Sequence, residues 1–146
     1  MDAKSYFCSG FNGAQAVGVA FADELGIPKE SIAKMLSGFG GGVARLREVC
    51  GAVSGMVFVL DALYGYSTPE SDREKAEHYE RIRELVSKFN AEVGAIRCQE
   101  IMKNAEVGGE PSPRTHEYYR TRVCPDLCAL AEKLLREYIE SHPIEV

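Results

Sequence analysis

Five cysteines are the residues of this chain best suited to chemistry. They are Cys8, Cys50, Cys98, Cys124 and Cys128. Thiolates attack disulfides and bind soft metal ions, so the spacing of these residues bears directly on function. The first residues lack the basic and apolar segments of a secretory signal, and we therefore expect a cytoplasmic protein, in which structural disulfides are rare. Because five thiols cannot all pair internally, we expect metal ligands, redox thiols or buried small hydrophobic residues.

Three of the cysteines are predicted to lie at or near helix starts. Cys124 precedes Pro125, which predicts that Cys124 caps the last helix, where the helix dipole would lower the pKa of the thiol. Cys98, beside Arg97, is predicted in the first turn of a short helix. Cys128 follows Cys124 by four residues, so the two can share one side of a helical turn and hold a metal or, after modest rearrangement, a disulfide. The same pattern is compatible with Cys128 as simple core packing.

Small residues surround Cys50. The segment 50–55 reads CGAVSG, and a triple glycine precedes it at 40–42. Gly51 and Gly55 lie four residues apart, which lets another helix approach closely, either for packing alone or to bring thiols from other helices to Cys50. The triple glycine is followed by no Gly-Lys-Ser or Gly-Lys-Thr and preceded by no clear strand, so we expect no nucleotide site. A small-ligand pocket beside the glycines is the weakest of the alternatives.

Helical periodicity over nearly the whole chain predicts an all-α fold. We expect one domain, residues 1–146, built as a bundle of about five to six helices around a central apolar helix rich in small residues. The predicted helices are 12–25 with Asn12 as cap and Gly26 as stop, a short helix after Pro28 with Met35 facing inward, 43–63, 70–93 ended by Gly94, a short helix at Cys98, and 125–141. His78 is expected to be solvated on the charged helix.

Composition excludes several classes of function. With 146 residues, 45% hydrophobic and 27% charged, the chain has the balance of a globular domain. A net charge of −5 disfavours nucleic acids and anionic membranes as partners. No apolar run reaches the roughly 18 residues of a membrane span.

Taken together, these motifs resemble the C_GCAxxG_C_C family of small redox-active proteins. The resemblance covers most of the chain and rests on GFNGAQAV at 10–17, FGGG at 39–42, CGAVSG at 50–55, Tyr64-Gly65, Cys98 and Cys124. It implies a helical protein of one domain with about four functional cysteines, acting in electron transfer or metal handling.

The chain departs from the family pattern at one position. The family usually has a cysteine after the asparagine of the first motif, where this chain has Gly13. Cys8 could replace that thiol if the preceding segment folds back over the site. If it does not, a cluster of four cysteines needs Cys128.

We therefore expect a redox protein whose clustered cysteines bind a metal or an iron–sulfur cluster, or cycle between dithiol and disulfide. The predicted catalytic thiols are Cys50, Cys98 and Cys124. The predicted metal ligands are these three and Cys128, and the predicted cofactor-binding residues are Cys8, Cys128, Gly51 and Gly55. The cofactor would be an iron–sulfur cluster or zinc, and otherwise none. In the dithiol version Cys124 would be the attacking thiolate.

The expected partner is a redox partner that the sequence does not identify, and a homo-oligomer is compatible with the pattern. The alternative is a noncatalytic helical module for interaction or homodimerisation, in which the thiols are buried structural residues.

Overall fold

The fold is all-α, as predicted. The computed structural model describes residues 1–103 and 105–144, which form nine α-helices and no β-strand. The helices are α1 (Ala3–Cys8), α2 (Gly13–Ala20), α3 (Ala22–Leu25), α4 (Lys29–Met35), α5 (Gly51–Tyr64), α6 (Asp72–Val93), α7 (Cys98–Ile101), α8 (His116–Thr121) and α9 (Cys124–Ser141), with a 3-10 turn at Ser37–Phe39. The number exceeds the predicted five to six because α1 and α8 were not predicted and the helix predicted over 12–25 is divided into α2 and α3.

Local signals set several helix ends where the sequence predicts them. Asn12 caps α2: its side chain accepts from the N–H of Gln15, while the Gln15 side chain accepts from the N–H of Asn12 at 3.0 Å. Gly26 ends α3 and Gly94 ends α6, both in the left-handed conformation that suits glycine. The helix predicted over 12–25 is interrupted at Phe21, so it forms two helices.

The prediction of a helix from residue 43 is wrong. Residues 41–47 form a left-handed loop in which six of the seven residues have positive φ. Four of these are not glycine: Val43, Ala44, Arg45 and Arg47. Each such residue costs about 1–2 kcal/mol relative to a right-handed conformation. The apolar spacing of this segment imitates a helix, but the N–H of Arg47 instead donates to the carbonyl of Gly41 at 3.1 Å and closes a wider turn. Helix α5 therefore begins only at Gly51.

Glycines bring α2 and α5 together, as the sequence predicts. A Cβ added at Gly55 would lie 2.8 Å from the carbonyl oxygen of Ala14 and 2.9 Å from Cβ of Val17. A Cβ added at Gly51 would lie 3.0 Å from the nitrogen of Ala14. Larger residues would force the two helices apart, and this close contact positions the first turn of α5 beside the first turn of α2.

Two expectations about burial are wrong. His78 is only 3% exposed, because it lies on the same face of α6 as the buried Leu85 and Phe89. Its Nε2 lies 2.6 Å from Oδ1 of Asp61. Met35, predicted to face inward, is 51% exposed at the end of α4.

No helix within residues 1–103 and 105–144 combines the length and apolar character needed to cross a membrane.

Candidate functional site

Four cysteines line one small cavity of about 70 Å³, the thiol cavity. Cys50 lies at the N-terminal end of α5, Cys98 begins α7, Cys124 begins α9, and Cys128 follows one turn later in α9. All five cysteines of the chain are free thiols. The fold thus brings together side chains that are far apart along the chain.

A short antiparallel bridge sets Cys50 against Cys98. Val49 pairs with Arg97, and the N–H of Cys50 donates to the carbonyl of Ile96 at 2.8 Å. In such a bridge, residues one before and one after the paired residue point to the same face. Cys50 and Cys98 are therefore diagonal neighbours on one face of this bridge. The bridge therefore sets the relative position of Cys50 and Cys98 without any contact from α9.

The left-handed loop packs directly on Cys98. A Cβ added at Gly42 would lie 2.8 Å from Cβ of Cys98 and 2.7 Å from the nitrogen of Glu48. Gly42 also has φ +71°, so glycine is required there both by space and by conformation. Of the three glycines, Gly42 therefore allows the loop to approach this thiol closely.

Burial keeps three of the cavity thiols protonated. Burial raises the pKa of Cys50 to about 11, against opposition from the backbone N–H groups of Ala52 and Val53. Burial also raises the pKa of Cys124, and it raises the pKa of Cys128 well above its ordinary value. At neutral pH these three groups are thiols.

Our prediction of a lowered pKa for Cys124 is wrong. The capping position belongs to Val123, and Cys124 is the first residue of α9. Loss of water around the sulfur outweighs the favourable effect of the neighbouring Arg122.

Three arginines also line the thiol cavity, and no Asp or Glu of the described segments does so. Arg47 is only 4% exposed; its Nε donates to the carbonyl of Glu106 at 2.8 Å, and its Nη1 lies 3.7 Å from Sγ of Cys98. The other two are Arg114 and Arg122. A charged donor beside sulfur stabilises negative charge there. Cys98 therefore has a cationic hydrogen-bond partner that the other cavity cysteines lack within the described residues.

Cys128 lies next to Gly13. Its Sγ is 3.8 Å from the carbonyl oxygen of Gly13, and both residues line the thiol cavity. Cys8, by contrast, is exposed at the end of α1 and is not one of the lining residues. Of the two predicted glycines, Gly51 lines the cavity, while Gly55 lies at the contact of α2 with α5.

The cysteines are not arranged as a preformed metal centre. In residues 1–103 and 105–144 no group of three or more His, Cys, Asp or Glu side chains has the arrangement that could hold a metal ion. Zinc and iron–sulfur clusters require thiolates at short, directed bond lengths. The cavity as it stands does not fit such a group.

The arginines of the cavity were not predicted from the sequence. Arg47 comes five residues after the triple glycine and three before Cys50, and Arg122 comes two residues before Cys124. The signal that could have predicted them is a basic residue close in sequence to a cysteine. Met102 was also missed as a cavity residue; its Sδ lies 3.7 Å from Sγ of Cys124.

An all-α fold that brings thiols from separate helices to one arginine-lined cavity defines a class of small helical thiol proteins. A family model described as "Putative redox-active protein (C_GCAxxG_C_C)" matches residues 11–138, and the chain belongs to this family. The predicted family is thereby confirmed. Searches of curated proteins and of solved structures found no match to the chain.

Proposed function

We propose that the protein is a redox protein whose cavity thiols cycle between dithiol and disulfide. One observation carries the proposal: four cysteines line a single cavity. Membership of a family described as redox-active supports it. In the forward step, two thiols form one S–S bond and release two protons and two electrons. The oxidant is a disulfide of a redox partner, which takes up both electrons and leaves as two thiols.

Cys98 is the attacking group in this scheme, in place of the Cys124 that the sequence favoured. Its sulfur has Arg47 as a charged donor at 3.7 Å, whereas burial raises the pKa of Cys124. The Cys98 thiolate attacks one sulfur of the partner disulfide and forms a mixed disulfide, and the other partner sulfur leaves as a thiolate. Cys50, its diagonal neighbour, then attacks the Cys98 sulfur of the mixed disulfide as a thiolate. The bond from Cys98 to the partner breaks, and the second partner sulfur leaves and takes up the proton that Cys50 has lost.

Cys124 and Cys128 complete the thiol set. Cys124 is the alternative resolving group, since it lines the same cavity from the start of α9. Cys128 is proposed to replace the family cysteine missing at Gly13, because its sulfur lies 3.8 Å from the carbonyl oxygen of that residue. Cys8 is left outside this set because it is exposed and does not line the cavity.

A thiolate-bound metal or iron–sulfur cluster is the second candidate. What favours it is the number of thiols, since four cysteines match the ligand set of both groups. The three lining arginines would offset the negative charge of such a centre. The thiols of the described residues are not arranged to hold a metal ion, so this candidate is tested by measuring whether the purified protein contains one. Iron, zinc and acid-labile sulfide would be determined in protein prepared without oxygen.

Disulfide mapping by mass spectrometry tests the proposal. The reduced protein is treated with a small oxidised dithiol, alkylated and digested. We expect an intramolecular disulfide between two of the cavity cysteines, formed equally in the wild type and in Cys8→Ser. In Cys98→Ser the rate of its formation should fall by at least about tenfold, because the attacking group is lost.

Two results would contradict the scheme. If oxidation yields only dimers linked through Cys8, the cavity thiols are not a redox pair. If no cavity thiol reacts until denaturant is added, and no metal is bound, the protein is better described as a noncatalytic helical module with buried structural thiols. Its oligomeric state, measured by light scattering, would then become the property to explain.

A further inference from the structure

A second cavity of about 410 Å³ adjoins the thiol cavity, and we call it the arginine pocket. Four guanidinium side chains line it: Arg45, Arg47, Arg114 and Arg122. No carboxylate of residues 1–103 or 105–144 is among its lining residues. The chain as a whole carries a net charge of −5, so the positive charge of this pocket is opposite in sign to the charge of the whole chain. Such a pocket attracts anions.

The four lining arginines form no salt bridge with any described residue. Four other arginines do form salt bridges, namely Arg73, Arg97, Arg120 and Arg136. In the pocket, Arg114 instead donates to the backbone carbonyls of Phe7 and Phe11, at 3.2 and 3.1 Å. Carbonyl partners satisfy hydrogen bonds without neutralising the charge, so the positive charge of the pocket remains available to a ligand.

One buried donor in the pocket also lacks an acceptor. Nε of Arg45 is buried and has no hydrogen-bond partner among the described residues. Buried polar atoms are nearly always paired, and an unpaired one requires an explanation. Arg47 is only 4% exposed, and none of its guanidinium nitrogens donates to a carboxylate of the described residues. Both side chains come from the left-handed loop, and strained backbone of this kind is typical of ligand sites.

We propose that the arginine pocket binds a small oxyanion with two or more negative charges. The planar guanidinium offers paired donors that match the oxygens of phosphate, sulfate and carboxylate groups. Arg47, Arg114 and Arg122 line both cavities, so an anion held by them lies next to the thiols. The inference extends the proposed function and rests on it in one respect: the oxyanion is a group of the redox partner, and its binding holds the partner disulfide beside Cys98.

Isothermal titration calorimetry on the reduced full chain tests the site. The probes are sodium phosphate, sodium sulfate and sodium succinate, titrated at constant ionic strength in a chloride buffer. We expect saturable binding of at least one of them. Arg45→Gln and Arg122→Gln should each weaken it by about tenfold or more, as expected for the loss of a charged hydrogen-bond donor. The comparison of phosphate and sulfate with succinate distinguishes tetrahedral anions from dicarboxylates.

Arg83→Gln is the matched control. Arg83 is exposed on α6 and lines neither cavity, so this variant changes the net charge equally and should bind as the wild type does. Circular dichroism establishes that each variant is folded. If Arg45→Gln does not fold, the double variant of Arg114→Gln with Arg122→Gln takes its place.

The proposal is overturned if none of the three anions binds the wild type below about 10 mM. It is equally overturned if Arg45→Gln and Arg83→Gln bind as tightly as the wild type. Failure of this site is distinct from failure of the redox scheme. Anion binding should persist in Cys98→Ser, and disulfide formation in the wild type is measured without any of the anions.

Discussion

Replacing Gly42 with alanine would test whether the left-handed loop holds the thiol cavity in shape. The added Cβ would lie 2.7 Å from the nitrogen of Glu48 and 2.8 Å from Cβ of Cys98, whereas ordinary contacts are 3.4–4 Å. Neither neighbour is the end of a flexible side chain. The clash can therefore be relieved only if the loop or the backbone at Cys98 moves.

Two separate costs add up in this variant. Gly42 has φ +71°, and a residue with a Cβ loses about 1–2 kcal/mol in the left-handed conformation. Overpacking adds about 1–3 kcal/mol. We expect Gly42→Ala to lower the free energy of unfolding by about 2–5 kcal/mol in total.

Two other glycines separate these costs. Gly26 has φ +66° and no atom within 4 Å of its added Cβ, so Gly26→Ala should cost only about 1–2 kcal/mol. Gly38 also has open space and does not have the positive φ, so Gly38→Ala should lie within about 1 kcal/mol of the wild type.

Urea unfolding followed by circular dichroism gives the three free energies. Alkylation of Cys98 in the native protein gives a second readout, which should be faster in Gly42→Ala because the loop no longer covers this thiol. If Gly42→Ala costs no more than Gly26→Ala and leaves the alkylation of Cys98 unchanged, the loop does not pack on the thiol as described, and the reasoning fails.

Three further predictions concern ionisation and burial. The pKa of Cys50 is about 11 in the folded protein against 9.0 in the unfolded chain. Its favourable contribution to the free energy of unfolding is therefore complete below pH 9, and about 3 kcal/mol of it is lost between pH 9 and 11. A constant difference in unfolding free energy between wild type and Cys50→Ser from pH 8 to 11 would contradict this. His78→Ala should cost about 1–3 kcal/mol in urea unfolding, because it removes a buried side chain that contacts Asp61 at 2.6 Å and Arg81 at 2.8 Å, and a loss below about 0.5 kcal/mol would refute that role. Maleimide should label exposed Cys8 at least about tenfold faster than buried Cys128, as read by mass spectrometry of the native protein, and equal rates would show that Cys128 is accessible.

Most of the helices could be predicted because their signals are local. The capping pair Asn12 and Gln15, and the stop at Gly94, act within one turn of the chain, so the residues themselves contain the information. The close approach of another helix to α5 could also be predicted, because Gly51 and Gly55 lie four residues apart, but only the structure shows that this helix is α2.

The left-handed loop could not be read from the sequence. Its apolar residues repeat at helical spacing, and only the contacts of Gly42 with Cys98 and Glu48 show why the chain turns the other way. His78 was missed for a related reason: its neighbours in sequence are charged, and its burial comes from the packing of this face of α6 against the other helices.

The amino-acid sequence alone determined the all-α class, the family and the presence of five thiols, because these depend on composition and on motifs within single segments. Tertiary structure alone decided which cysteines share a cavity, that Cys128 rather than Cys8 lies beside Gly13, and that arginines surround the thiols. It also reversed the expected direction of the pKa of Cys124. The physical reason is that desolvation and charge contacts depend on atoms from several helices, whose arrangement no single segment specifies.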